Sequence, residues 1–285
     1  MSCNYGKFFR GKSFRKEFAN LGEIRSLIPQ NVHLMALTAT ATKTSRKEIC
    51  RVLSMSKPCV VAQSPNKSNI MYIVEKKLET MEETFAPLVE ELKRQRTQMD
   101  RVIIFGRTYE NVTSIYLYMK SRLGQEMLEP IGAPNLVRFR LLDMFTACTH
   151  AGVKNAILEA FTNKSSPLRV VIATIAFGLG LNCPDIRRVI HWGPPDSIET
   201  YMQETGRAGR DGLNSKAVLY FNTTDLKATH IQLDMKAYCK NSEVCRRNLL
   251  LKDFEIPQSN EMHIPLCQCC DICRTTCQCE KCLTD

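Results

Sequence analysis

Apolar and polar positions switch repeatedly between the helical period and short buried runs along this chain. Phe14, Phe18, Leu21, Ile24 and Ile28 recur at helical spacing and Pro29 closes the run, which predicts a helix over 14 to 28. A strand is predicted at Val32 to Leu37, followed by Thr38-Ala39-Thr40-Ala41-Thr42, whose hydroxyls read as a tight turn and helix cap. A polar helix (Ser45 to Leu53) and a strand (Cys59 to Ala62) come next, and the turn-rich 64 to 69 segment reads as a linker. A second series then begins: strand Ile70 to Val74, helix Thr80 to Arg96, strand Val102 to Phe105, helix Asn111 to Arg122. Residues 125 to 144 are poorly patterned. Beyond them lie helix Val153 to Phe161, strand Leu168 to Thr174, strand Val189 to Trp192, a helix starting near Ser197, strand Ala217 to Phe221, and helices at Thr224 to Tyr238 and Glu243 to Leu251. Strands alternating with helices predict an α/β fold, with a parallel sheet, helices on both faces, and ligands at the carboxyl ends of the strands.

Charge narrows the class of partner. The 285 residues carry a formal net charge of +10 and a pI near 9.0, which favours a polyanion such as nucleic acid. The most apolar run, Val170 to Leu181, is short and contains glycines, so no membrane span is expected. With no apolar leader at the N-terminus the reading is intracellular, and the 14 cysteines are then thiols and metal ligands rather than disulfides.

Residues 201 to 212 read Y-M-Q-E-T-G-R-A-G-R-D-G. Arg207 and Arg210 each follow a glycine, so two forked guanidinium groups can approach phosphate oxygens with little steric hindrance. On the residues alone, a solvated basic turn explains them equally well. The longer string resembles motif VI of superfamily 2 helicases, in the form typical of the RecQ family. That resemblance implies that Gln203, Arg207 and Arg210 face the ATP phosphates across a cleft between two RecA-like lobes, with the arginines stabilising the transferring phosphoryl group.

Other segments fall in the same family order. A-L-T-A-T-A-T at 36 to 42 resembles motif III, which makes Thr38 and Thr40 candidate DNA contacts. V-I-I-F-G-R-T at 102 to 108 resembles motif IV, with Arg107 and Thr108 meeting a DNA phosphate. A-T-I-A-F-G-L-G-L-N-C-P-D at 173 to 185 resembles motif V, implying DNA contact by Thr174 and nucleotide contact by Gly178, Gly180 and Asn182. The family usually has Asp where Asn182 stands. Its W-G-H-D-F-R loop is replaced here by Arg10-Gly11-Lys12-Ser13-Phe14-Arg15.

Gly6 to Ser13 satisfies the P-loop expression G-x-x-x-x-G-K-[ST]. Only five residues precede it, however, where the mechanism needs a strand, and two phenylalanines occupy the phosphate-wrapping positions. No Asp-Glu dipeptide occurs anywhere in the chain to serve as a magnesium-holding box. The expectation is that the nucleotide-binding half is missing and that this chain alone does not hydrolyse ATP.

Cysteines gather at the other end. Cys245 followed by two arginines, then Cys267, Cys270 and Cys273, offers four thiolates for a closed, structural tetrahedral site. The order resembles the RecQ zinc-binding subdomain, which implies structural Zn²⁺ and DNA contact by Arg246 and Arg247, with Lys236 and Lys240 beside them. Cys269, Cys277, Cys279 and Cys282 are candidates for a second site, or Cys269 for a substitution in the first.

The combined reading has three parts: a remnant of a first RecA-like lobe at 1–63, a complete second RecA-like lobe at 64–222, and a small helical zinc-binding subdomain at 223–285. The resemblance implies the C-terminal half of a RecQ-like ATP-dependent 3′-to-5′ DNA helicase of the recombination and repair class. It would act in the nucleus on single strands and duplex junctions, with Zn²⁺ as structural metal and ATP with Mg²⁺ in the complete enzyme. The alternatives are a DNA-binding module derived from a helicase that hydrolyses nothing, and a purely zinc-mediated interaction protein.

Overall fold

The computed structural model describes residues 23, 27–29, 32–38, 41–174, 183–254 and 264–279. The expected helix over 14 to 28 and the P-loop-like Gly6 to Ser13 fall almost wholly outside them. The chain forms two compact units, Met1–Asn66 with Leu251–Glu261, and Lys67–Leu250 with Met262–Asp285.

In the smaller unit one helix, α1 (Lys43–Val52), is started by Thr42, whose hydroxyl accepts from the Ser45 N–H at 3.2 Å. Hydroxylated residues compete for the free N–H groups of a first turn, so Thr42 caps where an apolar residue would not. The Lys43 N–H donates to the Asp253 carbonyl at 3.0 Å. Residues 32–37 and 59–62, read from the sequence as strands, have no ladder partner among the described residues and are not strands there. Leu37 is 84% exposed and Val61 95%. A buried-strand pattern makes a strand only where a sheet receives it.

The larger unit is a six-stranded parallel sheet in the order β1-β6-β5-β2-β4-β3, built from β1 (Ile70–Lys76), β2 (Arg101–Gly106), β3 (Leu142–Phe145), β4 (Val170–Ala173), β5 (Ile186–Trp192) and β6 (Ser215–Phe221). β2 is wholly buried because it lies inside the sheet with helices over it. Its Val102 and Ile104 join Val170, Ile172 and Ile190 in one core with Phe85, Leu88, Val89 and Leu92 of α2 (Met81–Gln95) and Val112, Ile115 and Met119 of α3 (Tyr109–Leu123). Both helices begin on threonine caps. Thr80 forms a reciprocal box with Glu83, and the Thr108 hydroxyl accepts from the Asn111 N–H at 3.1 Å. Gly106 is required where β2 meets α3, since a Cβ there would lie 2.7 Å from Val112.

Edge strand β3 was not legible in the sequence. It falls in the poorly patterned segment, and its Asp143 is only 3% exposed. Burial raises the Asp143 pKa, even though Arg140 at 2.9 Å opposes that rise. Further along, α4 (Ala151–Thr162) crosses to β4, and α5 (Ile198–Thr205) follows β5. The helix expected over Thr224 to Tyr238 is instead a single 3₁₀ turn at Asp225–Lys227 and then α6 (Leu233–Lys240). Short helices α7 (Arg246–Leu251), α8 (Leu266–Cys269) and α9 (Asp271–Thr275) complete the unit.

One buried ion pair pins the entries of β2 and β5. Arg101, 3% exposed, donates to Asp185 at 2.5 Å and to the Asn163 carbonyl at 2.5 Å. Burial pushes the Asp185 carboxyl upward, but hydrogen bonds from Arg101 and Cys183 outweigh it and leave the pKa below its ordinary value. Arg101→Met is expected to lower stability by about 3 kcal/mol, because a partly buried carboxylate loses its counter-charge. A carboxylate with a depressed folded pKa stabilises above its unfolded value of about 3.9 and stops doing so as pH falls through the folded value. The gap between wild type and variant should therefore shrink below about pH 4, as measured by urea denaturation across pH.

Candidate functional site

The polar residues singled out in the sequence divide between two ends of the sheet. At the carboxyl ends, β2 runs into Arg107 and Thr108 and its neighbour β4 into Thr174, with Phe105 paired to Ala173. Adjacent parallel strands place these three side by side, Arg107 half-buried and Thr108 exposed. The Thr108 hydroxyl already serves the first turn of α3. The Thr174 N–H donates to the Phe145 carbonyl at 3.3 Å.

Gln203, Arg207 and Arg210 lie at the opposite end. Helix α5 starts after the carboxyl end of β5, where the Ser197 hydroxyl accepts from the Thr200 N–H at 3.1 Å. It then runs back over its eight residues, about 12 Å at 1.5 Å per residue. The turn beyond it is fastened at the amino ends of the strands: the Gly209 N–H donates to the Ile186 carbonyl at 2.9 Å, and Asn69 Nδ2 donates to the Gly209 carbonyl at 2.8 Å. Lys67 Nζ donates to the Gly206 carbonyl at 2.5 Å. Gly209 has a φ of +55°, and a Cβ there would lie 2.3 Å from Asn69 Nδ2 and 2.8 Å from the Leu213 carbonyl. Only glycine fits.

This turn presents a basic surface of uneven depth. Gln203 and Arg210 are exposed, whereas Arg207 is 6% exposed. Burial lowers the Arg207 pKa, Glu204 opposes the shift, and Arg210 adds to it. Arg207 Nε has no hydrogen-bond partner among the described residues. Arg210 also contributes to a lowered pKa at Lys67, after burial. Arg187 pairs with Asp211. Beneath, Glu204 meets His191 of β5 at 2.8 Å, both buried. Sequence reasoning passed over Lys67, Asn69 and His191, which hold the turn from outside its motif.

Of the remaining candidates, Thr38 is exposed in the smaller unit. Thr40, Gly178, Gly180, Asn182 and Cys282 lie outside the described residues.

The cysteine segment packs on the outer edge of the sheet. Cys270 bridges to Tyr72 of β1, and the Val74 N–H donates to Asp271 at 3.2 Å. Where the resemblance implies DNA contact by Arg246 and Arg247, the structure buries both to 4% exposure. Arg246 donates to Asp271 at 2.5 Å and to the Tyr238 carbonyl at 3.2 Å. Arg247 donates to the Lys67 and Ile70 carbonyls at 2.8 and 2.5 Å. These guanidinium groups are spent on internal bonds rather than presented to a phosphate.

Four thiols, Cys245, Cys269, Cys270 and Cys273, lie with their sulfurs within 4.8 Å of one another, and Cys267 groups with Cys277 and Cys279 instead. Cys269 thus stands where the spacing pointed to Cys267. Hydrogen bonding to Cys269, helped by the Cys273 N–H, pulls the Cys270 thiol down to about 4 against the pull of burial. Hydrogen bonding to Cys270 and burial push Cys269 up. Burial pushes Cys273 up to about 12.

Comparison with known proteins agrees with this fold. A family model for the helicase conserved C-terminal domain matches residues 83–212. The ATP-dependent DNA helicase RecQ of Pasteurella multocida is 32% identical over 283 residues, covering 92% of this chain and 39% of that protein. The RecQ-like DNA helicase BLM of Xenopus laevis is 30% identical, with 86% of this chain and 18% of that protein covered. The ATP-dependent helicase SGS1 of Saccharomyces cerevisiae is also 30% identical, with 93% and 18% covered. The chain thus spans well under half the length of these relatives. Among solved structures, S. cerevisiae Dbp5 bound to RNA and ADP BeF3 matches with a TM-score of 0.55 at 16% identity, covering 82% of this chain and 58% of that one. That likeness supports the RecA-like helicase fold. Among the described residues no helix is long and apolar enough to cross a membrane.

Gly209→Ala should cost at least about 2 kcal/mol through left-handed strain plus collision with backbone oxygen. Gly212→Ala, with φ +85° but open space around it, should cost about 1 kcal/mol. Equal costs in chemical denaturation would remove the case for close packing at Gly209.

Proposed function

Because this chain belongs to the RecQ family of DNA helicases, we propose that it works as the second RecA-like lobe of an ATP-dependent 3′-to-5′ DNA helicase of the recombination and repair class. The observation that carries this reading is the placement of the two polar groups at opposite ends of one sheet. Arg107, Thr108 and Thr174 grip the phosphates of a DNA strand at the carboxyl ends. Gln203, Arg207 and Arg210 meet the phosphates of ATP at the amino ends, where Arg210 is exposed. Arg207, 6% exposed, lies deeper in the same turn. Arginine stays protonated at any cellular pH, and its fork matches developing charge on a transferring phosphoryl group. Gly178, Gly180 and Asn182 lie between Thr174 and Cys183 in the sequence and are assigned to the nucleotide.

The cysteine quartet fits a structural zinc ion. Tetrahedral Zn–S bonds of about 2.3 Å put sulfurs about 3.8 Å apart, and Cys245 and Cys269 stand at 3.6 Å. Cys245, Cys269, Cys270 and Cys273 would hold the ion, which supplies a cross-link between α7 and the terminal helices and does no chemistry. Magnesium accompanies the nucleotide; no Asp-Glu pair in this sequence offers it a familiar box.

The test is DNA binding and hydrolysis by the purified chain, alone and joined to the first lobe of a RecQ relative. Single-stranded and forked DNA should bind, with affinity falling steeply as salt rises. The chain alone should not turn over ATP, whereas the joined protein should hydrolyse and unwind. Arg210→Ala in the joined protein should lower DNA-stimulated hydrolysis by about 10³-fold or more with the fold unchanged by circular dichroism. Hydrolysis at the wild-type rate in that variant would refute the assignment. Cys245→Ser should cost one equivalent of zinc and lower the melting temperature.

A further inference from the structure

The second group of thiols has the making of a site of its own. Cys267, Cys277 and Cys279 converge from either side of α9 until their sulfurs lie within 4.8 Å of one another. The Cys267 to Cys279 separation is 3.8 Å, matching the edge of about 3.8 Å that 2.3 Å zinc–thiolate bonds impose. It is far too long for a disulfide, whose sulfurs sit about 2.0 Å apart. Three sulfurs also converge here, where a disulfide gathers two.

Helix geometry explains why the group is separate from the quartet. Cys267 and Cys269 are two residues apart in α8. At about 100° per residue they point to nearly opposite sides of the helix. Cys269 is buried toward Cys245 and Cys270, and Cys267 is left to face the returning chain at Cys277 and Cys279.

The electrostatic setting is independent of that geometry. Cys267 borders a cavity of about 610 Å³ shared with Arg187, Arg188, Lys216 and Arg274. Glu91 and Asp100 line it as well, and Glu91 is already paired with Arg188 at 2.7 Å.

We propose that Cys267, Cys277 and Cys279 form a second thiolate site for a soft divalent cation, Zn²⁺ in the cell, distinct from the Cys245, Cys269, Cys270 and Cys273 site. Three thiolates leave one coordination position for water or a further donor. The ion fastens the chain after α9 back onto α8, beside the basic cavity. Neither the site nor its test depends on the helicase reading.

Metal content of the full chain, purified under reductant from zinc-supplemented cells, tests the proposal. Two equivalents of zinc are expected by mass spectrometry, and the Cys277→Ser/Cys279→Ser double variant should keep one while retaining the wild-type circular dichroism spectrum. Cys267→Ser should behave as the double variant does. Titrating the metal-free wild type with Co²⁺ should give thiolate charge-transfer absorbance that saturates at two equivalents, a readout that needs no variant to fold. A single equivalent in the wild type overturns the proposal, as does a double variant that still holds two. Loss of the last zinc from Cys267→Ser with Cys277 and Cys279 dispensable would return Cys267 to the quartet and overturn it as well.

Discussion

Two buried guanidinium groups hold the larger unit together. Arg246 and Arg247 are adjacent in sequence and both are almost wholly withdrawn from water, which costs several kcal/mol each unless every donor finds an acceptor. Most of these donors are met by the Asp271 carboxylate and by the carbonyls of Tyr238, Lys67 and Ile70. Lys67 and Ile70 are the approach to β1, and Asp271 in turn receives the Val74 N–H from the same strand. One side of an edge strand that would otherwise present open backbone groups is thereby covered by the cysteine segment. The cysteines are thus part of the sheet's own wall, and any metal they hold stabilises the fold that carries the Gly206 to Arg210 turn.

That wall communicates with α5 through aromatic rings. The Arg247 guanidinium lies 5.1 Å from the Tyr72 ring, Tyr72 packs on Tyr201, and Tyr201 lies at the centre of contacts with His191 and Tyr238. Tyr201 is fully buried in the middle of α5, one side of which carries Glu204 onto His191. The helix therefore cannot slide without breaking a packed column. Beyond its last turn, Gly206 and Gly209 bring the backbone within reach of Lys67 and Asn69, and Arg210 is left exposed on a rigid support. Under the proposed function, charge held in place in this way would act on a phosphoryl group without reorganisation at the moment of reaction.

Most of the sheet was readable because buried parallel strands have short apolar runs between well-capped helices, as with β2, α3 and the Thr108 cap that joins them. What failed, failed for want of information about partners. Residues 32–37 and 59–62 have strand-like composition but no neighbouring strand among the described residues, and β3 hides a buried aspartate paired with Arg140 three positions away. The basic pair after Cys245 looked like a phosphate grip because sequence reports charge and not direction. Only the fold shows that both side chains turn inward. Glycine spacing did locate the exposed arginine, because a left-handed, crowded position such as Gly209 accepts no other residue.

The cysteines show most clearly where spacing stops and geometry begins. C-Q-C-C-D-I-C holds two Cys-x-x-Cys pairs that share Cys270, and a linear reading takes Cys267, Cys270 and Cys273. In a helix, residues two apart diverge by roughly 200° whereas neighbours three or four apart converge. Once α8 forms, Cys267 and Cys269 cannot both face Cys245. The Cys245 thiol just before α7 and the extended backbone at Cys270 draw in Cys269, and the remaining thiol is delivered to whatever the chain brings back on the other side. Cys277 and Cys279 occupy that position. The local helix, more than the motif, therefore decides which sulfurs come together.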